Sequence, residues 1–216
     1  QSRTRKTDAR GTLNADERPP GLDRAHALEP KYYFGDATFE LERQRVFAAS
    51  WQMVAHRAEL AEAGDHLLVN VAGTPVVLLR AADGVLRAFP NVCRHRAGPL
   101  VLCSGKGLGN LRCKYHGWLY NQEGQLVAAP EMQEAMDFRI GDIRLPRFQV
   151  REWQGLVFVA LADDVPDFGR VYAGIAERIA PVELGATQFV RRDSWDIACN
   201  WKVYVDNYLE GYHVPL

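Results

Sequence analysis

Four residues in one short stretch have the types and spacing of a metal centre. Cys93 and His95 are separated by one residue, Cys113 and His116 by two, and seventeen glycine-rich residues lie between His95 and Cys113. Neither pair has the i,i+4 spacing that brings two side chains to one helix face, so each pair belongs on a loop. Each loop contributes one thiolate and one imidazole. A structural zinc site of the finger type puts two cysteines on one knuckle and two histidines on the other element. Mixed pairs suit a binuclear iron–sulfur group instead, with both cysteines on one iron and both histidines on the other. Neutral imidazoles in place of two thiolates raise the reduction potential of such a group, to roughly −150 to +300 mV. A zinc-binding interaction module, or four unligated core residues, are the competing readings of the same positions.

The full pattern is C-x-H-x17-C-x2-H, with Arg96 after the first histidine and Gly117-Trp118 after the second. It resembles the Rieske [2Fe–2S] domain of non-haem iron ring-hydroxylating oxygenases. The Rieske proteins of respiratory complexes carry two further cysteines that brace the cluster loops with a disulfide. No cysteine stands beside His116, and Cys103 alone cannot make that bridge. The departure favours the oxygenase branch.

A second set lies in Asn200–Leu216, NWKVYVDNYLEGYHVPL. Asn200 is an N-cap candidate, and Trp201, Tyr204, Val205, Tyr208 and Tyr212 share one helical face, expected to pack inward. Asp206, Glu210 and His213 recur at i, i+4 and i+7 on a second face, with Asn207 adjacent, and Pro215 forces a turn just after His213. Taken alone, this reads as a solvated polar face at a helix end. The order N-W-K…D-N-x-x-E-x-Y-H, however, resembles the opening of the catalytic domain of the same oxygenases, and the resemblance covers about residues 31 to 216. It implies that His213 is the first ligand of a mononuclear Fe(II) held by two histidines and a carboxylate, with positions open for O₂. It implies that Glu210 bridges His116 of one subunit to His213 of the next in a homotrimer, with Asp206 and Asn207 as further catalytic residues. The other iron ligands would follow Leu216, so the chain is expected to be an N-terminal fragment, inactive alone. A glutamate at the bridging position is similar to the branch of choline, carnitine and betaine oxygenases. The expected substrate is a quaternary ammonium compound, or else an aromatic one, to be hydroxylated or N-dealkylated.

The elements that must position these residues follow from patterning. Of 216 residues 47% are hydrophobic, enough for real cores, and a net charge of −1 gives no nucleic-acid footprint or polybasic membrane surface. The apolar runs are strand-sized, the polar stretch at Gln1 lacks the apolar core of a secretory signal, and four cysteines make no disulfide framework, so a cytoplasmic setting is expected. Residues 1–30 are charged and read as a flexible arm. Residues 31–50 read as a helix, with Phe39, Arg43, Val46, Phe47 and Trp51 recurring at the spacing of one helix face, Thr38 as cap and Trp51 as a core aromatic. Residues 51–165 are expected to form the Rieske domain, with strands at His66–Val71, Pro75–Arg80, Val85–Phe89, Gln125–Ala129, Phe148–Arg151 and Leu156–Leu161 between turns at Gly73-Thr74, Ala82-Asp83-Gly84 and Trp153-Gln154-Gly155. Residues 166–216 begin the catalytic domain, with an amphipathic helix over Val171–Ile179 stopped by Pro181 and an alternating strand-length run over Phe189–Ile197. The fold class read from this pattern is α+β with small antiparallel sheets around the four candidate ligands, and the resemblance implies that the start of a helix-grip catalytic domain follows. No GxGxxG fingerprint is present, so a separate NAD(P)H-dependent reductase or ferredoxin would supply electrons. A Rieske ferredoxin, a pure carrier without catalysis, is the alternative, weighed against by the segment after Val171.

Overall fold

The computed structural model describes residues 27–211 and 214. Most of the arm expected over residues 1–30, and His213 with Tyr212, lie outside these residues. The chain divides into two compact units. One is Asp36–Ile197; the other holds the described residues on either side of it.

The larger unit contains three antiparallel sheets of three strands each. The first orders β1 (Gln52–His56), β9 (Leu156–Ala160) and β8 (Gln149–Trp153). The second is a meander of β2 (His66–Val71), β3 (Thr74–Arg80) and β4 (Leu86–Pro90). The third joins the short strands β5 (Leu111–Arg112), β6 (Leu119–Tyr120) and β7 (Leu126–Ala128). β3 explains how they stack. Its VVLL run is buried on both faces: Val77 and Leu79 enter a core with the third sheet, while Val76 and Leu78 enter a core with the first. A strand covered on both sides reads as continuous hydrophobicity rather than alternation. Each such side chain contributes roughly 1.5–3 kcal/mol on burial.

The turns follow their chemistry. β2 and β3 are joined by Ala72-Gly73, both at positive φ, and β8 and β9 by Gln154-Gly155 in the same way. The hairpin residues are thus Ala72-Gly73, one position before the expected Gly73-Thr74. Asp83 closes the β3–β4 connection: its carboxylate accepts from the Val85 N–H at 3.0 Å and holds the Arg87 guanidinium at 2.8 and 2.6 Å. Trp51 is a core aromatic, as expected, with its Nε1 donating to the Pro166 carbonyl at 2.9 Å.

Several expectations are corrected. The N-terminal helix is α1 (Lys31–Phe34) and α2 (Asp36–Glu42), the latter running into a wider turn at Arg43–Phe47, so Thr38 lies inside α2 rather than ahead of its first turn. β1, β5 and β6 went unread because they are short or weakly patterned. The helix expected over Val171–Ile179 is two pieces, α3 (Phe168–Val171) and α4 (Ile175–Ile179), separated at Gly174 with φ 75°, and Pro181 sits inside the tight turn that follows. The run Phe189–Ile197 forms no strand, because alternation makes a strand only where another strand meets it.

In the smaller unit, α5 (Trp201–Leu209) starts as expected, with the Asn200 side chain accepting from the Lys202 N–H. It stops at Leu209, and Glu210 is extended (φ −108°, ψ 146°), so Glu210 leaves the face that Asp206 occupies. Tyr204 and Tyr208 are exposed rather than packed inward, and Lys202 is the buried residue of the helix.

Candidate metal centre

Two loops of matching construction carry the four residues. In the first, the Cys93 N–H donates to the Gly98 carbonyl at 2.8 Å and the Ala97 N–H to the Cys93 carbonyl at 3.0 Å. In the second, the Cys113 N–H donates to the Trp118 carbonyl at 2.9 Å and the Gly117 N–H to the Cys113 carbonyl at 3.0 Å. In each case the fifth residue from and including the cysteine is left-handed: Ala97 at φ 55° and Gly117 at φ 75°. Glycine takes that conformation freely, whereas an alanine there must be held by its surroundings. Asn91 holds the first loop. Its buried side chain accepts from the N–H groups of Leu100 and Val101 at 3.0 and 2.9 Å and donates to the Val101 carbonyl at 2.8 Å. β5 and β6, meeting at Leu111 and Tyr120, hold the second loop.

The tips divide by chemistry. Cys93 and Cys113 are buried in the core and form no disulfide. His95 and His116 are half-buried, their rings 4.5 Å apart at an interplanar angle of 63°. The Nδ1 atoms of both histidines are buried and have no hydrogen-bond partner in the protein. Two adjacent imidazoles with buried, unsatisfied Nδ1 atoms, beside two buried thiols, are the donor set of a group with one thiolate-bound and one imidazole-bound iron. Among the described residues no three His, Cys, Asp or Glu converge as for a single ion; a two-iron group draws its ligands in pairs. The residues present therefore fit a [2Fe–2S] group.

The surroundings suit ligands of this kind. Burial, followed by the charges of His116 and Arg96, holds the His95 pKa below the usual histidine range, which keeps the imidazole neutral. Burial pushes the Cys93 thiol up, against a lowering contribution from Tyr120. Trp118 is buried and stacks on His95 with centroids 4.8 Å apart and planes within 8°; it fills the core and covers the histidine at once. Tyr120 was missed by sequence reasoning. It is fully buried, with its hydroxyl 3.3 Å from Cys93 Sγ and accepting from the Arg94 N–H at 3.1 Å. Burial, then the contact with Cys93, raises its pKa, so the phenol stays protonated; against a thiolate sulfur it can only donate. The sequence cue was slight: an aromatic two residues past Trp118.

His56 and His66 lie apart from this set. His56 caps the turn Arg57–Leu60, and His66 is a buried residue of β2.

The second candidate set lies in the smaller unit. Asp206 accepts a hydrogen bond from the Tyr33 hydroxyl at 2.7 Å, a link across 173 positions that no spacing rule foretells. Asn207 and Glu210 are exposed.

Comparison with known proteins gives a consistent answer. Residues 50–149 match the Rieske [2Fe-2S] domain family, and residues 184–216 match the ring hydroxylating alpha subunit (catalytic domain). The carnitine monooxygenase oxygenase subunit of Acinetobacter pittii is 35% identical over 198 residues, covering 88% of this chain and 52% of that protein. The biphenyl 2,3-dioxygenase subunit alpha of Rhodococcus jostii is 30% identical over 198 residues, covering 88% and 43%. The structure of the quaternary ammonium Rieske monooxygenase CntA with L-carnitine superposes with a TM-score of 0.80 at 34% identity, covering 86% of this chain and 53% of that one. The chain spans about half the length of the curated relatives it matches.

Proposed function

From a chain that belongs to the Rieske oxygenase alpha-subunit family, we propose a part in the terminal oxygenase component of a Rieske-type system, with a quaternary ammonium compound as substrate. The observation that carries the reading is the pair of buried, unsatisfied Nδ1 atoms on His95 and His116 beside the buried thiols of Cys93 and Cys113. The substrate class is supported by the likeness to a carnitine monooxygenase subunit and by Glu210 at the bridging position. The likeness to a biphenyl dioxygenase keeps an aromatic substrate as the second reading. A match to the catalytic-domain family over residues 184–216 weighs against a pure electron carrier.

In this proposal Cys93, His95, Cys113 and His116 hold the [2Fe–2S] group, which when bound accepts and releases one electron at a time. The buried cysteines sit on the protein side and the half-buried histidines face outward, so electrons leave by the imidazole edge. Trp118 and Tyr120 orient that arrangement by stacking on His95 and donating to Cys93. His213, with ligands beyond Leu216, would hold Fe(II), the centre at which O₂ is used. Glu210 would connect His116 of one subunit to His213 of its neighbour in a homotrimer, coupling electron arrival to proton movement at its carboxylate. Asp206, held by the Tyr33 hydroxyl, and Asn207 would line the same path. Electrons would come from a separate NAD(P)H-dependent reductase or ferredoxin in the cytoplasm.

Glu210→Gln, made in a chain that carries the complete catalytic half, tests the bridge. The visible spectrum of the cluster should be unchanged while substrate-coupled O₂ consumption falls roughly 10–100-fold, the scale on which ligand-supporting groups act. Wild-type turnover in this variant removes Glu210 from the path.

A further inference from the structure

Residues 130–143 follow β7 and contain no strand; turns closed by Ala135 N–H to the Met132 carbonyl and Phe138 N–H to the Ala135 carbonyl precede a tighter turn at Ile140–Asp142. Their path is strained at two places. Glu131 (φ 60°) and Asp137 (φ 63°) are both left-handed, a conformation that side chains other than glycine adopt at a steric cost and keep only where the surroundings demand it. What the bent path achieves is contact with the cluster core. Met132, Phe138 and Ile143 pack on the cluster of buried residues that includes Cys93, Cys113 and Trp118. The Phe138 ring lies 5.7 Å from Trp118 at 56°, and Trp118 in turn stacks on His95 at 4.8 Å. Both ends of the segment are tied to the same region. The Leu126 N–H donates to the Ile143 carbonyl at 3.0 Å, and Pro130 Cγ lies 3.5 Å from where a Cβ on Gly117 would stand.

We infer that residues 131–143 form a positioning strap whose Phe138 holds Trp118 against His95 and keeps water from the histidine side of the site. The inference rests on the reading that Cys93, His95, Cys113 and His116 hold a [2Fe–2S] group. It does not depend on the substrate or on the mononuclear iron. The sign of its effect follows from charge. With two ferric ions, two sulfides, two thiolates and two neutral imidazoles the oxidised group has no net charge, and one added electron makes it anionic. Water stabilises the charged state more than the neutral one, so a dry cover lowers the potential and a breach raises it. A phenylalanine that merely filled core space would cost stability when truncated but would leave the water at His95 unchanged.

The test uses the full chain with its cluster bound, comparing Phe138→Ala, Phe138→Leu and Phe138→Tyr with wild type. Two quantities are read: the reduction potential by spectroelectrochemistry, and exchangeable deuterium coupling by pulsed EPR of the reduced protein in D₂O. Phe138→Ala should raise both above wild type, Phe138→Leu should raise both less, and Phe138→Tyr should restore both. Wild-type potential and coupling in Phe138→Ala overturn the strap; if that variant does not assemble the cluster, the same result in Phe138→Leu overturns it. A wild-type chain without iron and sulfide sinks the cluster reading and the strap with it, an outcome distinct from a loaded protein indifferent to Phe138.

Discussion

Tyr120 makes two contacts through one oxygen, and they separate in a single substitution. In Tyr120→Phe the Arg94 N–H loses its acceptor and Cys93 Sγ its donor. A hydrogen bond to a ligand sulfur stabilises the more negative, reduced state, so the variant should show a lower reduction potential with the cluster still bound. Stability should fall by about 1 kcal/mol, the net worth of a typical hydrogen bond. Redox titration and a denaturant melt of the same preparation read the two effects; an unchanged potential would remove Tyr120 from the tuning of the site. At this scale the sequence was most informative. Cys93, His95, Cys113 and His116 were legible because ligand chemistry demands particular residue types at close spacing. Tyr120 and Tyr33 were not, since each reaches its partner through the fold: 27 positions separate Tyr120 from Cys93, and 173 separate Tyr33 from Asp206.

Of the two loops around the centre, the first is held by a side chain, Asn91, and the second by the ladder of β5 and β6. Asn91 satisfies three backbone groups of the first loop. Asn91→Ala should therefore destabilise the domain by about 2–4 kcal/mol, since buried N–H and C=O groups lose partners that water cannot easily replace. Thermal unfolding and cluster retention should fall together, and retention at the wild-type level would show that the loop holds itself. At the β3–β4 connection the Arg87 guanidinium, and then the Val85 N–H, hold the Asp83 carboxyl well below the usual carboxylate range. A folded pKa lower than the unfolded one means that the contribution is complete above pH ~4 and disappears as pH falls through the folded value. Because Asp83 is exposed, the effect is small. Asp83→Asn should lower the denaturation midpoint slightly at pH 7, and the difference from wild type should shrink towards pH 3 in parallel guanidinium titrations. Strand-sized runs such as HLLVNV were readable to the residue, because period and turn chemistry agreed there. The end of α5 at Leu209 was not, because helical spacing continues past the point where the helix stops.

Across the whole molecule, one unit holds the complete set of candidate cluster ligands, and the other is proposed to supply part of a second centre. The larger unit contains all four candidate cluster ligands together with the residues that aim them, and its two main cores meet across β3. The smaller unit contributes α5 and, at its end, Glu210. The α+β organisation was legible from turn residues and strand periodicity; the stacking of three sheets was not, because it depends on which face of β3 meets which neighbour. The measurement that bears most directly on this account is iron, sulfide and zinc analysis of the anaerobically purified chain, with EPR of its reduced form. The account predicts about two irons and two sulfides per chain, no zinc, and an average g value below that of organic radicals, the mark of a mixed cysteine–histidine cluster. Zinc without sulfide would contradict it and return Cys93, His95, Cys113 and His116 to a structural zinc knuckle.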